Sequence, residues 1–195
     1  MYHALERTFR RANLPLAYSQ GFNQRPRMNL ASALPLGLTS RSELAEVWLT
    51  EPRPLDEIQT ALKSSAPPGL VFTQVEEVPV KNPKLPNLIQ AAEYHVTLER
   101  AHPDLDKRIA HLLASERIPR TRRKKNYDLR PLIKGIERVP DAEPGTAELK
   151  IRLSARPGAT GRVDEVLEEL GISAAAARIE RTMLILEDIN STPNV

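Results

Sequence analysis

The sequence has 195 residues, 41% of them hydrophobic and only 4% aromatic, with 28 Lys/Arg against 25 Asp/Glu and a formal net charge of +3. It contains no cysteine, which excludes disulfides, thiolate zinc sites and cysteine-held iron–sulfur clusters within these residues. It also lacks the run of about 18 apolar residues that a membrane span needs, and it lacks the apolar core of a secretory signal. We therefore expect a cytoplasmic protein that does not enter a membrane.

The first half predicts an α-β-β-α-β order of elements. Apolar residues at helical spacing mark the helices, alternation marks the strands, and Pro- or Gly-containing stretches separate them. The predicted elements are a helix over 2–12, a loop over 16–27, a strand over 28–38 running into a turn, a strand over 44–50, a helix between 54 and 67, and a strand over 70–78.

Three prolines within residues 79–87 mark the best domain boundary, and after it the pattern restarts. The second half predicts a β-α-β-β-α-β order, in which Gly171 ends the second helix. The predicted elements are a strand over 94–98, a helix over 104–114, a strand from 118 to about 123, an irregular stretch over 124–146, a strand over 149–153, a helix over 163–170, a strand over 178–187 and a frayed tail over 189–195.

The β-α-β-β-α-β order is that of a ferredoxin-like domain. We therefore predict an α+β protein of two tandem ferredoxin-like domains, an incomplete one over 1–80 and a second over 90–188. The first domain lacks its N-terminal strand, and an unfilled strand position leaves an exposed sheet edge. We expect residues before Met1 in the full gene product, or a distorted first domain.

Positive charge is concentrated in two regions. Residues 1–41 hold six Lys/Arg and one Glu, and residues 117–134 hold eight Lys/Arg and one Asp. The rest of the chain is acidic, so this asymmetry points to a polyanionic partner, with nucleic acid first. A guanidinium group matches phosphate oxygens in pairs, and an interleaved aromatic ring can stack on a base.

Two sets of candidate binding residues follow. The earlier set is Arg7, Arg10, Arg11, Tyr18, Gln20, Gly21, Phe22, Asn23, Arg25 and Arg27, and the later set is Arg120, Arg122, Arg123, Lys124, Lys125, Tyr127 and Arg130, with Arg117 beside it. For the earlier set, the alternative is a structural loop whose Tyr18 and Phe22 fill the core. For the later set, the alternatives are a basic loop that binds nothing specific and a surface that binds an acidic protein partner.

The histidines show no metal-ligand spacing, so we predict no metal site and no cofactor. His3, next to the basic helix, is a weak candidate for a general acid–base. No catalytic residues are assigned, and whether the chain is an enzyme is left open, with a binding role favoured.

Two runs, Leu5–Ala12 and Leu14–Asn23, resemble the signature of the bacterial radical-SAM-linked domain of unknown function. The resemblance continues through Ala33–Gly37, Ala91–Tyr94, Asp128–Leu132 and Arg181–Thr182. In that family Pro-His-Pro-Lys usually follows the Asn, whereas this chain has Gln24-Arg25-Pro26-Arg27. A Ser-His-Leu-Asp segment that members carry upstream of the first helix is not included here. The first half is more distantly similar to CRISPR repeat-processing endoribonucleases.

The resemblance implies a partner, a radical-SAM protein with a cobalamin-binding domain. We therefore expect an RNA-binding accessory protein that works with such an enzyme in tRNA or rRNA modification. The alternatives are a metal-free endoribonuclease of the paired ferredoxin-like type and a protein-only scaffold for the radical-SAM partner.

Overall fold

The computed structural model describes residues 1–100, 102–122, 124–140, 143 and 145–187, and the fold is of the α+β class. The chain divides into two compact units. Unit 1 contains Met1–Ala31 and Leu44–Leu85, and unit 2 contains Ser32–Glu43 and the chain from Pro86 onward. Nothing in the sequence pattern indicated that residues 32–43 belong with the second unit. The predicted tail over 189–195 lies outside the described residues.

Unit 1 contains two helices close to the predicted positions, α1 (Tyr2–Arg11) and α2 (Leu55–Ser65). The α1 helix buries Leu5 and Phe9, which lie one turn apart. The helix ends at Arg11, and Asn13, two residues later, adopts a left-handed φ of 51°, a conformation that Asn tolerates after a helix. Sequence periodicity and a stop residue are therefore enough to locate this helix.

The strands of unit 1 are shorter than predicted. Strand β1 (Met28–Leu30) pairs antiparallel with β3 (Ala45–Val47). The predicted strand over 28–38 is wrong beyond residue 30, because the chain then passes into unit 2. Residues 70–78, predicted as a third strand, join no β-ladder.

Residues 70–78 instead contribute side chains to the core of unit 1. Leu70, Phe72 and Val75 pack against a buried cluster, and the ring of Phe72 lies 6.3 Å from that of Phe9. Alternating apolar residues thus arise here from packing on helices rather than from pairing within a sheet. The buried cluster contains Leu5, Phe9, Leu16, Met28, Ile58 and Leu62.

In the ranges that the structure describes, no helix is both long enough and apolar enough to cross a membrane.

Unit 2 is built on a larger sheet. The elements are β2 (Thr39–Ser40), α3 (Leu85–Leu88, which begins at the boundary between the units), β4 (Ile89–Leu98), α4 (Leu105–Ala114), β5 (Pro119–Arg122), β6 (Lys125–Asp128), β7 (Ile133–Val139), β8 (Ala147–Arg156), β9 (Ala159–Thr160), α5 (Val163–Glu169) and β10 (Ala177–Leu186), with 3-10 turns at Arg130–Leu132 and Ala174–Ala176.

The order of the long strands in this sheet is β10-β4-β8-β7, and every neighbouring pair is antiparallel. With α4 and α5, the chain order is β-α-β-β-α-β, the ferredoxin-like motif. The strand predicted from 118 to about 123 is confirmed as β5, but it is not the second strand of this sheet. Residues 119–122 pair only with β6 in a separate hairpin, and the sheet strand is β7, within the stretch predicted to be irregular.

Arg181 attaches residues 32–43 to the edge of this sheet. The side chain is 1% exposed and lies on β10 at a register shift. Its Nε donates to Glu43 Oε1 at 2.7 Å, its Nη2 donates to Glu43 Oε2 at 2.5 Å, and the Nη2 also reaches the Ser32 carbonyl at 3.1 Å. Strand β2 adds a parallel pairing to β10 at the same place.

We expect Arg181→Met to lower the free energy of unfolding by about 3 kcal/mol, because it leaves the Glu43 carboxylate without its partner. Adding Glu43→Leu should recover much of the loss, since the unpaired charge is then removed. Arg178→Ala, at an exposed position of the same strand, should change stability by no more than about 0.5 kcal/mol. Urea denaturation measures all three, and an Arg181→Met protein as stable as wild type would contradict the assignment.

Candidate nucleic-acid interface

The earlier set of predicted residues lies on α1 and on a hairpin-like loop over 17–27, here called the N-terminal loop. Its two sides are joined by backbone hydrogen bonds, from Ser19 N to Arg25 O and from Arg27 N to Ala17 O, each 2.8 Å. The backbone of Trp48 extends the pairing to the next segment. The loop is therefore closed at its base, and residues 20–24 form its tip.

Every residue of the tip is exposed, and Phe22 has a relative exposure of 102%. The alternative in which Phe22 fills the core is therefore wrong. Gly21 has a φ of +122°, which side-chain-bearing residues rarely adopt, although an added Cβ would meet nothing within 4 Å. Gly21 is thus required by the backbone conformation of the tip rather than by lack of space. Gln20 and Asn23 lie close to Phe22 in the chain and are also exposed.

Arginines surround this loop. The guanidinium of Arg10 lies over the ring of Tyr18, 5.5 Å from its centroid, and also pairs with Glu6 at 3.0 Å. Arg27 lies over the Trp48 ring at 5.1 Å. Tyr18, 37% exposed, is therefore partly covered by an arginine rather than buried in the core. The remaining arginines of this set are exposed, and they are Arg7, Arg11 and Arg25.

The later set lies in unit 2, and Arg120, Arg122, Lys124, Lys125 and Tyr127 belong to the antiparallel hairpin of β5 and β6, here called the basic hairpin (119–128). Lys124 has a φ of 66°, and Arg122, Lys124 and Lys125 are exposed near the turn. None of these three side chains has an acidic partner among the described residues. Arg123 lies outside the described residues.

Two members of the later set hold the basic hairpin to α5 instead of facing solvent freely. Arg120 donates to the Glu165 carbonyl at 3.0 Å and pairs with Glu169 at 2.8 Å and Glu168 at 3.5 Å. The Tyr127 hydroxyl donates to the Glu165 carboxylate, and burial together with this contact raises the pKa of Tyr127 to about 12. Their internal partners leave both side chains less available to a ligand.

Arg130 is also engaged internally. Its guanidinium donates to the Leu113 carbonyl at 2.8 Å and 3.2 Å, an orphan acceptor in the last turn of α4, and to the Ile133 carbonyl at the start of β7 at 3.3 Å. Arg117 is exposed, with its Nε 3.6 Å from Asp128 Oδ2. Binding roles for these residues stay predictions, and the exposed cations near the turn are the stronger candidates.

General acid–base chemistry at His3, the weak expectation from the sequence, stays a prediction. The side chain of His3 is exposed and pairs with Glu6 at 3.7 Å. Among the described residues, no three His, Cys, Asp or Glu side chains form a cluster that could hold a metal ion.

Sequence reasoning missed the polar residues that shape unit 2. Arg181 lies on β10 between the buried residues Ile179 and Leu184. A charged residue between apolar positions of a strand was the sequence signal that could have identified it. Arg162 and Asp164 form an ion pair at the start of α5, with Nε 2.8 Å from Oδ1. No feature of the sequence distinguished that pair from a solvated turn.

The pH dependence of the basic hairpin should follow Asp128, whose carboxylate accepts from the Ile118 amide at 2.8 Å and the Arg130 amide at 3.0 Å. The Ile118 hydrogen bond is the main cause that lowers its pKa from 3.8. Because the folded pKa is the lower one, this contribution to stability is complete above pH 3.8 and is lost as the pH falls through the folded value.

The amide-proton shift of Ile118, followed by NMR, should titrate with a midpoint below 3.8 in the wild type. Asp128→Asn should abolish the titration, whereas Glu116→Gln, which removes a neighbouring exposed carboxylate, should leave it unchanged. A midpoint at or above 3.8 would show that the hydrogen bond does not favour the ionised form.

Comparison with known proteins gives one finding. No curated protein and no solved structure matches the chain. A family model described as "Uncharacterized protein conserved in bacteria (DUF2344)" matches residues 1–163, which include the N-terminal loop, the basic hairpin and the chain up to the first residue of α5. The chain therefore belongs to the bacterial family DUF2344.

Proposed function

We propose that this protein is an RNA-binding accessory protein that presents tRNA or rRNA to a radical-SAM enzyme with a cobalamin-binding domain. The observation that carries the RNA-binding proposal is the fully exposed Phe22 at the tip of a loop that is closed by its own backbone and bordered by arginines. The following features of the two loops support it.

Phe22 and its surroundings suit an unpaired base. Exposure of the phenyl ring to water does not stabilise the protein, whereas stacking of the ring on a base contributes about 1–3 kcal/mol to the free energy of binding. Arg25 and Arg27 follow the tip, and their guanidinium forks match phosphate oxygens. Proteins bind single-stranded RNA by stacking its bases on aromatic side chains and by contacting its phosphates with arginine and lysine side chains.

The basic hairpin supplies further positive charge. Arg122, Lys124 and Lys125 have no acidic partners in the described part of the chain, so their charges are not compensated locally. Each phosphate that such a side chain neutralises releases counterions, which gives affinity without sequence preference. This hairpin therefore suits contacts to the RNA backbone, whereas the N-terminal loop suits contacts to a base.

The sheet of unit 2 is poorly suited to stack bases. Among the four long strands, Tyr94 is the one Phe, Tyr or Trp, and it is buried. The neighbouring positions carry charges that pair with each other, with Arg152 Nε 2.8 Å from Glu93 Oε1 and Lys150 3.4 Å from Glu93. We therefore assign RNA binding to the two loops and not to the sheet.

The radical-SAM partner rests on the resemblance of Tyr18–Asn23 and the flanking segments to the radical-SAM-linked family. The 195 residues contain no cysteine. A thiolate-held cluster would therefore have to lie outside these residues. In this proposal the chain binds and positions the RNA, and the partner performs the chemistry.

We expect the wild-type protein to bind bulk bacterial tRNA or an rRNA fragment with an affinity that falls steeply as salt rises, measured by fluorescence anisotropy. Phe22→Ala should weaken binding about tenfold, from the loss of one stacked base. Val80→Ala removes an equally isolated exposed side chain of unit 1 and should have no effect. Affinity that does not depend on salt, or an unaffected Phe22→Ala protein, would contradict the proposal.

Loss of a phosphate contact should appear in the salt dependence. Lys124→Ala should reduce the slope of log affinity against log salt by about 1, with little change in preference among RNA sequences. Arg53→Ala, an arginine of unit 1 that already pairs with Glu51 at 2.6 Å, should leave the slope unchanged. Equal slopes for Lys124→Ala and wild type would exclude the basic hairpin from the interface.

The partner is tested by co-purification from a bacterial strain that expresses both proteins. We expect the radical-SAM protein to be recovered with this chain and its RNA, and enzyme-dependent modification of that RNA to fall when this chain is deleted. Recovery that survives nuclease, from a chain with no measurable RNA affinity, would instead favour the protein-only scaffold.

A further inference from the structure

Unit 2 contains a cavity of about 480 Å³ to which the proposed function assigns no ligand. Its volume lies within the range of about 300–1,000 Å³ that is usual for small-molecule sites. The residues around it come from 32–38, from Arg122 at the end of β5, from residues 160–164 and from Tyr94 of β4. All of them belong to unit 2.

One wall of the cavity is apolar. Pro35, Leu36 and Leu38 line it, and Leu36 has a relative exposure of 103%. The start of this wall is held by the buried Arg181, which donates to the Ser32 carbonyl at 3.1 Å and to the Ala33 carbonyl at 3.4 Å. A planar apolar group can lie against the side chains of this wall.

The charges around the cavity leave one cation uncompensated. Arg162 and Asp164 form a two-pronged ion pair with each other, which raises the pKa of Arg162 and keeps its charge occupied. Arg122 lines the same cavity with no acidic partner among the described residues. The site therefore favours one anionic group near Arg122.

Neutral hydrogen-bonding groups complete the lining. Burial raises the pKa of Tyr94, and the nearby Arg181 offsets this only in part, so the phenol remains a neutral donor. Ser32 also lines the cavity. An apolar wall, a few neutral polar groups and one cation together match a ring that carries a phosphate.

We propose that this cavity binds one nucleoside 5′-phosphate, with the phosphate on Arg122 and the base against Pro35, Leu36 and Leu38. The inference rests on the proposed function in one respect, that the nucleotide is an unstacked residue of the bound RNA. Arg122 connects the cavity with the proposed RNA-binding surface, because it lies on the basic hairpin and also lines the cavity.

The test is an NMR titration of the full chain with AMP, CMP, GMP or UMP, followed at the Gly161 and Leu38 amides. We expect at least one nucleotide to shift both signals, and adenosine or inorganic phosphate alone to bind about tenfold more weakly. Arg122→Ala should weaken nucleotide binding about tenfold, the size of a lost charge-assisted hydrogen bond. Arg178→Ala, at an exposed site on β10, should leave it within twofold of wild type, a margin of about 0.4 kcal/mol.

A second variant does not depend on charge. Leu36→Ala removes an exposed side chain, so folding should be unaffected, and it should weaken nucleotide binding while leaving binding of inorganic phosphate unchanged. Signals at Gly161 and Leu38 that no nucleotide shifts would overturn the inference. So would phosphate that binds as tightly as the nucleotides, because the cavity would then hold an anion only.

Adding a short single-stranded RNA identifies the source of the nucleotide. Displacement of the mononucleotide from Gly161 supports a residue of the RNA, and RNA binding without displacement assigns the cavity to a free nucleotide. RNA affinity with no mononucleotide binding would overturn this inference and leave the proposed function standing. Mononucleotide binding with no RNA affinity would support this inference and overturn the proposed RNA-binding function.

Discussion

Both candidate binding surfaces depend on one physical constraint, which is that a short loop closed by antiparallel backbone pairing satisfies its own polar groups and leaves its tip unburied. In the N-terminal loop the pairs between residues 17–19 and 25–27 hold Phe22 in solvent. In the basic hairpin the ladder between β5 and β6 does the same for Lys124 and Lys125. The backbone is thus fixed before any ligand arrives, and little ordering cost remains for binding.

Interactions behind each loop decide which side chains remain available. The acidic residues of α5 pair with Arg120 and accept a hydrogen bond from Tyr127, so these two side chains hold the base of the basic hairpin. The cations near its turn have no such acidic partners among the described residues. Arg181 has a related role for residues 32–43, because its buried guanidinium satisfies Glu43 and two backbone carbonyls. Internal pairing therefore divides the arginines of this basic protein into structural ones and exposed ones.

The sequence was sufficient for α1, α2, α4 and α5, it left open whether Phe22 is exposed or buried, and it was insufficient where partners are distant. Periodicity located α1 and α2, and Gly171 ended α5 as expected, with a φ of 70°. The alternation over 70–78 was misleading because it reflects packing on helices, and β7 was missed because an edge strand carries charges that resemble a loop. Arg120 and Tyr127 could not be separated from Arg122, since their acidic partners lie about 40 residues later in the chain.

Ultraviolet crosslinking of the protein to bacterial RNA, with mass spectrometry of the attached peptides, tests the central claim most directly. The two closed loops are the RNA contacts in this account, so crosslinked nucleotides should map to residues 20–27, above all to Phe22, and to residues 122–127. Crosslinks confined to the sheet strands β4 and β8, or the absence of any crosslink at either loop, would contradict it.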